Sequence, residues 1–187
     1  MDIDFESYIR GVEPDKQEKA SAWKTAIGLQ AVDGLQTSDY LKDIARKHIE
    51  GDISIDEVKK LINGYYESKI ARTPEDEEME EADKVSASIA RILNEQSFAF
   101  SVAGFISIHR RLFEGIFNFA GKIRDYDITK KEWVLRSDTV LYANAEDLKK
   151  ALEYDLEQEK NFSYKGLSMD EVVNHIAKFV SGIWQIH

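Results

Sequence analysis

The segment FISIHRRLFEGIFNF, residues 105–119, is the most apolar stretch of this chain with helical periodicity. Its apolar residues recur every three or four positions, a spacing that places them on one face of a helix. Phe105, His109 and Leu112 share that face, and a histidine between apolar neighbours is more typical of a structural residue than of a catalytic group. The segment therefore predicts a helix at the centre of a hydrophobic core.

The pattern changes after this helix. The segment GKIRDYDITKKEWVLRSDTVLYANA, residues 121–145, mixes alternation with β-branched and aromatic residues. Within it, EWVLRSDTVLYA, residues 132–143, predicts two short strands around a turn at residues 136–138. Most of the remaining chain has helical periodicity, and only two prolines occur, which permits long helices. The predicted fold class is mainly α, with one small β-hairpin.

Capping residues predict where the other helices begin and end. These signals are Pro14 in a first turn, Gly51 after a helix from about Asp39 to Ile49, the capping boxes Ser54–Glu57 and Ser168–Glu171, Thr73 before Pro74, and Asn144. The helix that begins at Pro74 carries the acidic run EDEEMEEAD, residues 75–83. Such a run predicts a solvated helix face or a linker hinge. We therefore predict a connector over residues 67–84, between helical regions at 1–66 and 85–187.

Composition narrows the classes of function. The net charge of −10 repels a nucleic-acid backbone, and the densest basic runs are the short HRR and TKK,. No cysteine occurs, which excludes disulfides and thiolate metal sites and fits a reducing compartment. We find no signal peptide and no apolar run of about 18 residues. The sequence predicts a cytoplasmic protein that binds neither nucleic acid nor membrane.

The segment MDEVVNHIAKFVSGIWQIH, residues 169–187, predicts a last helix that reaches His187. Its apolar face is formed by Val173, Ile176, Val180, Ile183 and Trp184. His187 continues this face, so it is predicted on the buried side of the helix. Periodicity leaves two interpretations of His187 open: a structural histidine whose ring nitrogens are hydrogen-bonded, or a catalytic base. It does not decide between them, because the sequence pattern pairs no acid or nucleophile with His187.

Three segments occur in the order and approximate spacing found in a Fic-family protein: LFEGIFNFAGKIRDYDI, EWVLRSDTVLYANAEDLKKAL and AKFVSGIWQIH. On these segments, the chain resembles the Fic family over residues 85–187. Fic enzymes are helical and carry a hairpin, the flap, in front of the active site. Their motif H-P-F-x-[D/E]-G-N-G/x-R begins with a histidine at a helix end. The resemblance implies that His187 is this histidine and a general base. Because the rest of the motif would follow position 187, the chain as given is expected to lack the nucleotide-binding loop and to be inactive.

The resemblance implies protein adenylyltransfer, in which AMP moves from ATP to a Ser, Thr or Tyr hydroxyl of a target protein. ATP and Mg²⁺ are the implied substrate and cofactor, with no metal ligand within this chain. The target-binding flap would include Trp133, Val134, Leu135, Arg136 and Tyr142, whose backbone pairs with the target's edge; hairpin packing is the alternative role for Trp133 and Tyr142. The target, the transferred group and the oligomeric state stay open, a homodimer included.

Residues 1–66 resemble the VbhA-like antitoxin region that accompanies some Fic domains, and the segment from Ala26 to Tyr66 carries this resemblance. That region inhibits through a motif [S/T]-x-x-x-E-[G/N]. Asp33 and Gly34 in LQAVDG are one candidate, and Glu50 and Gly51 in RKHIEG are the alternative. GDISIDE at residues 51–57 fits the part that follows the motif, which favours Asp33 and Gly34. Structural alternatives are a turn residue for Asp33 and a solvated helix end for Glu50.

Two functions from different classes follow from these observations. The first is an adenylyltransferase autoinhibited by its N-terminal helices. The second is a non-catalytic helical module that binds another protein through its flap or its N-terminal helices.

Overall fold

The computed structural model describes residues 3–69, 71, 73–95, 98–131 and 139–186, with the backbone alone at 130–131, 139–141 and 184–186. This part of the chain is mainly helical, as predicted. Its elements in order are α1 (Phe5–Ile9), α2 (Pro14–Val32), α3 (Asp39–Glu50), α4 (Ile55–Glu67), α5 (Pro74–Leu93), α6 (Val102–Phe113), β1 (Thr129–Lys131), β2 (Thr139–Leu141), α7 (Leu148–Asn161) and α8 (Met169–Ile186). Contacts divide the chain into two compact units, Met1–Ser97 and Phe98–His187.

In the first unit α2, α4 and α5 begin at the predicted capping residues, and the structure adds Ser38 as the cap of α3. Pro14 occupies the first turn of α2, and Ser38 Oγ accepts the Leu41 N–H at 2.9 Å at the start of α3. Reciprocal capping boxes, Ser54 with Glu57 and Thr73 with Asp76, start α4 and α5. Each such cap satisfies N–H groups that have no partner inside the helix.

Helices α2 to α5 enclose a fully buried apolar core. Its members include Trp23 and Ala26 from α2, Leu41 and Ile49 from α3, Val58, Ile62 and Tyr66 from α4, and Ala87 and Ala90 from α5. Complete burial of one large apolar side chain contributes roughly 1.5–3 kcal/mol. Because α5 packs into this core, the first unit extends to residue 97. The boundary between the units therefore lies later than the predicted start of the second region at residue 85.

The acidic run on α5 is only partly solvated. Glu77 and Glu78 are exposed, but Asp83 is fully buried. The prediction of a solvated face was wrong for Asp83, because three and four residues make about one helical turn. Asp83 consequently shares the inner face of α5 with Ser86 and Ala87, which are buried as well.

In the second unit α6 is shorter and less buried than predicted. The helix ends at Phe113, and Gly115, with a φ of +80°, turns the chain soon afterwards. No residue of α6 is fully buried, so the prediction that residues 105–119 form the centre of a core was wrong. The fully buried side chains that α7 supplies are Leu148, Leu152, Leu156 and Glu159.

Strands β1 and β2 form a two-stranded antiparallel ribbon. Thr129 lies opposite Leu141, and Lys131 lies opposite Thr139. The pairing begins earlier in the chain than predicted, and the predicted strand at 132–135 and turn at 136–138 lie outside the described residues. After the ribbon, α7 begins at Leu148 rather than directly after Asn144.

Helix α8 begins at the predicted box, where Ser168 N–H donates to Glu171 Oε2 at 2.8 Å. The prediction that its apolar face is buried was wrong for three residues: Val173, Ile176 and Val180 are 55%, 44% and 53% exposed. Another face contacts α7 instead, because His175 bonds the buried carboxylate of Glu159. A buried carboxylate needs such a partner, and this requirement sets which side of α8 faces α7.

Among the helices described here, none is both long enough and apolar enough to cross a lipid bilayer.

Candidate functional site

The predicted catalytic histidine immediately follows the last described residue of α8. The helix extends to Ile186, and His187 itself lies outside the described residues. Its role as a base therefore stays a prediction. Trp133, Val134, Leu135 and Arg136 of the predicted flap also lie outside that part of the chain.

Tyr142 is the one predicted flap residue whose side chain is described. It follows β2 directly, is half-buried, and lines an apolar cleft of about 730 Å³. The cleft is formed mainly by side chains of α6 and α8, with Ile128 and Leu156. Tyr142 and His109 are the polar side chains among its lining residues. Among the described residues, the lining of the cleft therefore offers apolar contact and includes no Lys or Arg side chain to bind a phosphate.

His109 has the structural role that its apolar neighbours predicted. Its Nδ1 accepts the Gly121 N–H at 2.8 Å, which places the proton of the neutral ring on Nε2. The ring lies edge-on to Phe113, with 5.1 Å between the centroids. Gly121 has a φ of +72°, and a Cβ there would lie 2.7 Å from Arg110 Cβ, so only glycine fits this turn.

A second histidine, His175, belongs to a polar cluster that sequence reasoning missed. Its Nε2 lies 2.7 Å from Glu159 Oε2, and Tyr164 donates its hydroxyl to the other carboxylate oxygen. This hydrogen bond raises the pKa of Tyr164. Phe162 stacks on the imidazole with 3.5 Å between centroids. The cluster satisfies both oxygens of a buried carboxylate and joins α7 to α8.

Asp33 lies at the exposed C-terminal end of α2, where Gly34 adopts a φ of +80°. This conformation favours glycine and ends the helix, as the turn interpretation predicts. Val32 beside it is 82% exposed. Burial, and then the charges of Glu78 and Asp33, raise the pKa of Glu81, so Asp33 lies close to carboxylates of α5. Such a surface suits a cationic group of a partner.

Glu50, the alternative inhibitory residue, is engaged within its own unit. Its carboxylate accepts the Tyr8 hydroxyl at 2.7 Å and pairs with Lys16 Nζ at 2.9 Å. These two contacts, that of Tyr8 first, lower the pKa of Glu50. Gly51 follows with a φ of +88° and closes α3. Glu50 therefore joins α1, α2 and α3, and it is more than the solvated helix end that the sequence suggested.

The buried Asp83 is the centre of a hydrogen-bond cluster that the sequence did not reveal. Its carboxylate accepts the Ser38 N–H at 2.9 Å, the Ser38 hydroxyl and the Tyr66 hydroxyl at 2.7 Å. Burial raises the pKa of Asp83, while these three bonds oppose the rise. The cluster holds the start of α3 and the end of α4 against α5. The one signal in the sequence for the burial of Asp83 is its position three residues before Ser86, which places both residues on the same face of the helix.

A buried histidine lies between α2 and α3. Trp23 donates its indole N–H to His48 Nδ1 at 3.0 Å, so the proton of the neutral imidazole lies on Nε2. Burial, and then the charge of Lys19, lower the pKa of His48, against a smaller opposing effect of Asp15. This histidine is kept neutral, and its surroundings suit a structural hydrogen bond.

Within the described part of the chain, no group of three or more His, Asp or Glu residues is placed to hold a metal ion. The Mg²⁺ that the resemblance implies therefore has no ligand set among these residues.

Comparison with known proteins found no match, either to a protein-family model, to a curated protein or to a solved structure.

Proposed function

We propose that this chain belongs to a Fic-type protein adenylyltransferase in which His187 is the general base and the first unit inhibits the reaction. The observation that supports the proposal is the order of elements in the second unit. An antiparallel ribbon is followed by α7 and then by α8, which runs to the residue before His187. The proposal requires a histidine directly after a helix and, earlier in the chain, a ribbon whose edge can pair with a target, and this order of elements agrees with that requirement.

The proposed step transfers AMP to a hydroxyl of a target protein. The hydroxyl oxygen attacks the α-phosphorus of ATP and forms a new P–O bond. The bond from that phosphorus to the β-bridging oxygen breaks, and pyrophosphate leaves. The imidazole of His187 takes the hydroxyl proton as the bond forms. This step uses His187 and the two reactants alone.

Replacing His187 with alanine is expected to abolish AMP transfer, because loss of a general base typically costs 10²–10⁴-fold in rate. The product of the complete reading frame is incubated with ATP labelled at the α-phosphate, and labelled protein is measured. Asn174→Ala, an exposed change on the same helix, is the matched control. ATP labelled at the γ-phosphate should leave protein unlabelled. Equal labelling by the His187→Ala variant would falsify the proposed role.

Replacing Asp33 with alanine is expected to raise AMP transfer about tenfold, the size of a coupling of roughly 1–3 kcal/mol between inhibitory and catalytic sites. Asp33 is chosen over Glu50 because its side chain is exposed, whereas Glu50 is held by Tyr8 and Lys16. Glu50→Gln serves as the comparison and should leave the rate unchanged. Activation by Glu50→Gln alone would assign the inhibitory role to Glu50.

The second candidate function is a non-catalytic module that binds another protein. The exposed apolar side chains of α8, Val173, Ile176 and Val180, favour this alternative, since such groups are common at protein–protein contacts. Labelled protein from the wild-type product of the complete reading frame, lost on His187→Ala, would exclude it.

A further inference from the structure

The ribbon of β1 and β2 has only three paired positions on each strand among the described residues. A two-stranded ribbon of this size is marginally stable on its own. Contacts outside the ladder therefore contribute to the stability of the ribbon. Such contacts occur where the chain enters the ribbon, at residues 124–128, and where it leaves the ribbon, at residues 142–145.

Arg124 joins these two legs of the ribbon. Its Nη1 donates to the carbonyl of Tyr126 at 2.6 Å on the entering leg. Its Nη2 donates to the carbonyl of Ala143 on the leaving leg. The planar guanidinium holds its donors in a fixed fork, so the two bonds fix the separation and the angle of the legs together.

A second link runs beside the first. Asp127 on the entering leg accepts the N–H of Ala145 on the leaving leg, with 2.7 Å between the heavy atoms. In this segment the legs are thus joined by side chains that bond the main chain of the other leg. We refer to Arg124 and Asp127 with these contacts as the ribbon clamp.

We propose that Arg124 is a positioning residue for the target protein, acting through the ribbon clamp. This inference rests on the proposed function, in which the ribbon pairs its edge with an extended segment of the target. Edge pairing fixes the acceptor hydroxyl only if the ribbon itself is fixed. A displacement of about 1 Å at the reacting atoms can cost on the order of 10²-fold in rate. In these two contacts the guanidinium bonds to main-chain carbonyls, so they give Arg124 a positioning role.

The first measurement tests the clamp without reference to activity. Arg124→Lys keeps the charge but replaces the rigid fork with an ammonium on a flexible stem, so it does not hold the two carbonyls in a fixed geometry. Amide hydrogen exchange, followed by mass spectrometry, should become about tenfold or more faster over 129–131 and 139–141, as expected for loss of a bond to a charged group. Exchange in α7 and α8 should not change. Arg110→Lys, an exposed arginine on α6, is the matched control.

The second measurement tests target positioning. With labelled ATP, AMP can be joined to protein, the enzyme's own chain included, or released by transfer to water. Arg124→Lys should lower protein-bound AMP about tenfold or more while AMP released to water stays within about twofold, because water needs no ribbon. A parallel fall of both products would assign Arg124 to the reaction centre and overturn the proposal.

The outcomes of these measurements distinguish failure of the proposed function from failure of the ribbon clamp. If the wild-type product of the complete reading frame yields neither labelled protein nor free AMP, the proposed function fails, and the positioning role fails with it, while hydrogen exchange still decides whether the clamp exists. Ribbon exchange that is unchanged by Arg124→Lys overturns the clamp even when the wild-type enzyme is active. Asp127→Ala, which removes the second link only, should give a smaller change of the same kind.

Discussion

Replacing Asp83 with alanine is expected to destabilise the first unit by about 3–5 kcal/mol. The carboxylate accepts three hydrogen bonds, two from Ser38 and one from Tyr66. Alanine would leave those donors buried without an acceptor, at about 1–3 kcal/mol each for a donor that finds no substitute. The loss is measured by urea unfolding, followed through hydrogen exchange in peptides from α2 to α5, because two compact units need not unfold together.

The control for this prediction is Glu77→Ala, which removes an exposed carboxylate from the same helix. It should change stability by no more than about 0.5 kcal/mol. Asp83→Asn keeps one acceptor for the Ser38 N–H and should cost less than alanine. If Asp83→Ala and Glu77→Ala had the same effect, the buried cluster would not stabilise the unit.

The raised pKa of Asp83 also predicts how the stability of the first unit depends on pH. Burial raises this pKa above its ordinary value, which is about 3.9 in an unfolded chain. Between those two values the folded state binds more protons than the unfolded state, so stability falls as the pH rises through that interval. Above the folded-state pKa this contribution is constant. Asp83→Asn should remove the slope, and parallel pH profiles for the two proteins would contradict burial as its cause.

Replacing Trp23 with alanine is expected to cost about 3–5 kcal/mol, the range for loss of a large buried aromatic side chain. Trp23 has no exposed surface in the described core. Trp23→Phe retains most of the apolar volume but removes the indole N–H that bonds His48, and should cost about 1–2 kcal/mol. Val32→Ala, on the exposed end of the same helix, is the control. The same urea measurement reports all three variants.

The burial of His48 also predicts a pH dependence of stability, because burial is the main cause of its lowered pKa. The folded-state pKa of His48 is lowered from about 6.5 in the unfolded chain. Between these values the unfolded state binds more protons, so stability is lost as the pH falls from about 6.5 to the folded-state pKa. Protonation would also place an N–H of His48 against the indole N–H. Trp23→Phe removes that conflict and should weaken the dependence; an unchanged slope would show that the hydrogen bond plays no part in it.

Local signals in the sequence predicted much of the first unit. Ser54, Glu57 and Thr73 marked helix starts correctly, because a cap depends on residues within one turn. The burial of Asp83 was missed because its partners, Ser38 and Tyr66, lie 45 and 17 residues away in the chain. From composition alone, an aspartate within an acidic run is predicted to lie at the surface.

In the second unit, a contact between residues distant in the chain likewise overrides the local pattern of α8. Its apolar period indicated a buried face, but a single charged partner, Glu159, turns His175 toward α7 and leaves Val173 exposed. For the candidate site, the exposed position of Asp33 agrees with its predicted place at a turn. Arg124 and Ala143, which are in contact, lie 19 residues apart in the chain, so no local sequence pattern predicts this contact. His187 and residues 133–136 of the flap stay predictions.

The core of Met1–Ser97 draws on that unit alone, and this has a consequence for synthesis. At roughly 5–20 residues per second, a ribosome needs on the order of 5–20 s to add the second unit. Helical domains with local contacts fold in microseconds to milliseconds. The N-terminal helices should therefore reach their native packing while the later helices are still being translated, so that the proposed inhibitory segment would be folded before translation reaches His187, the proposed base.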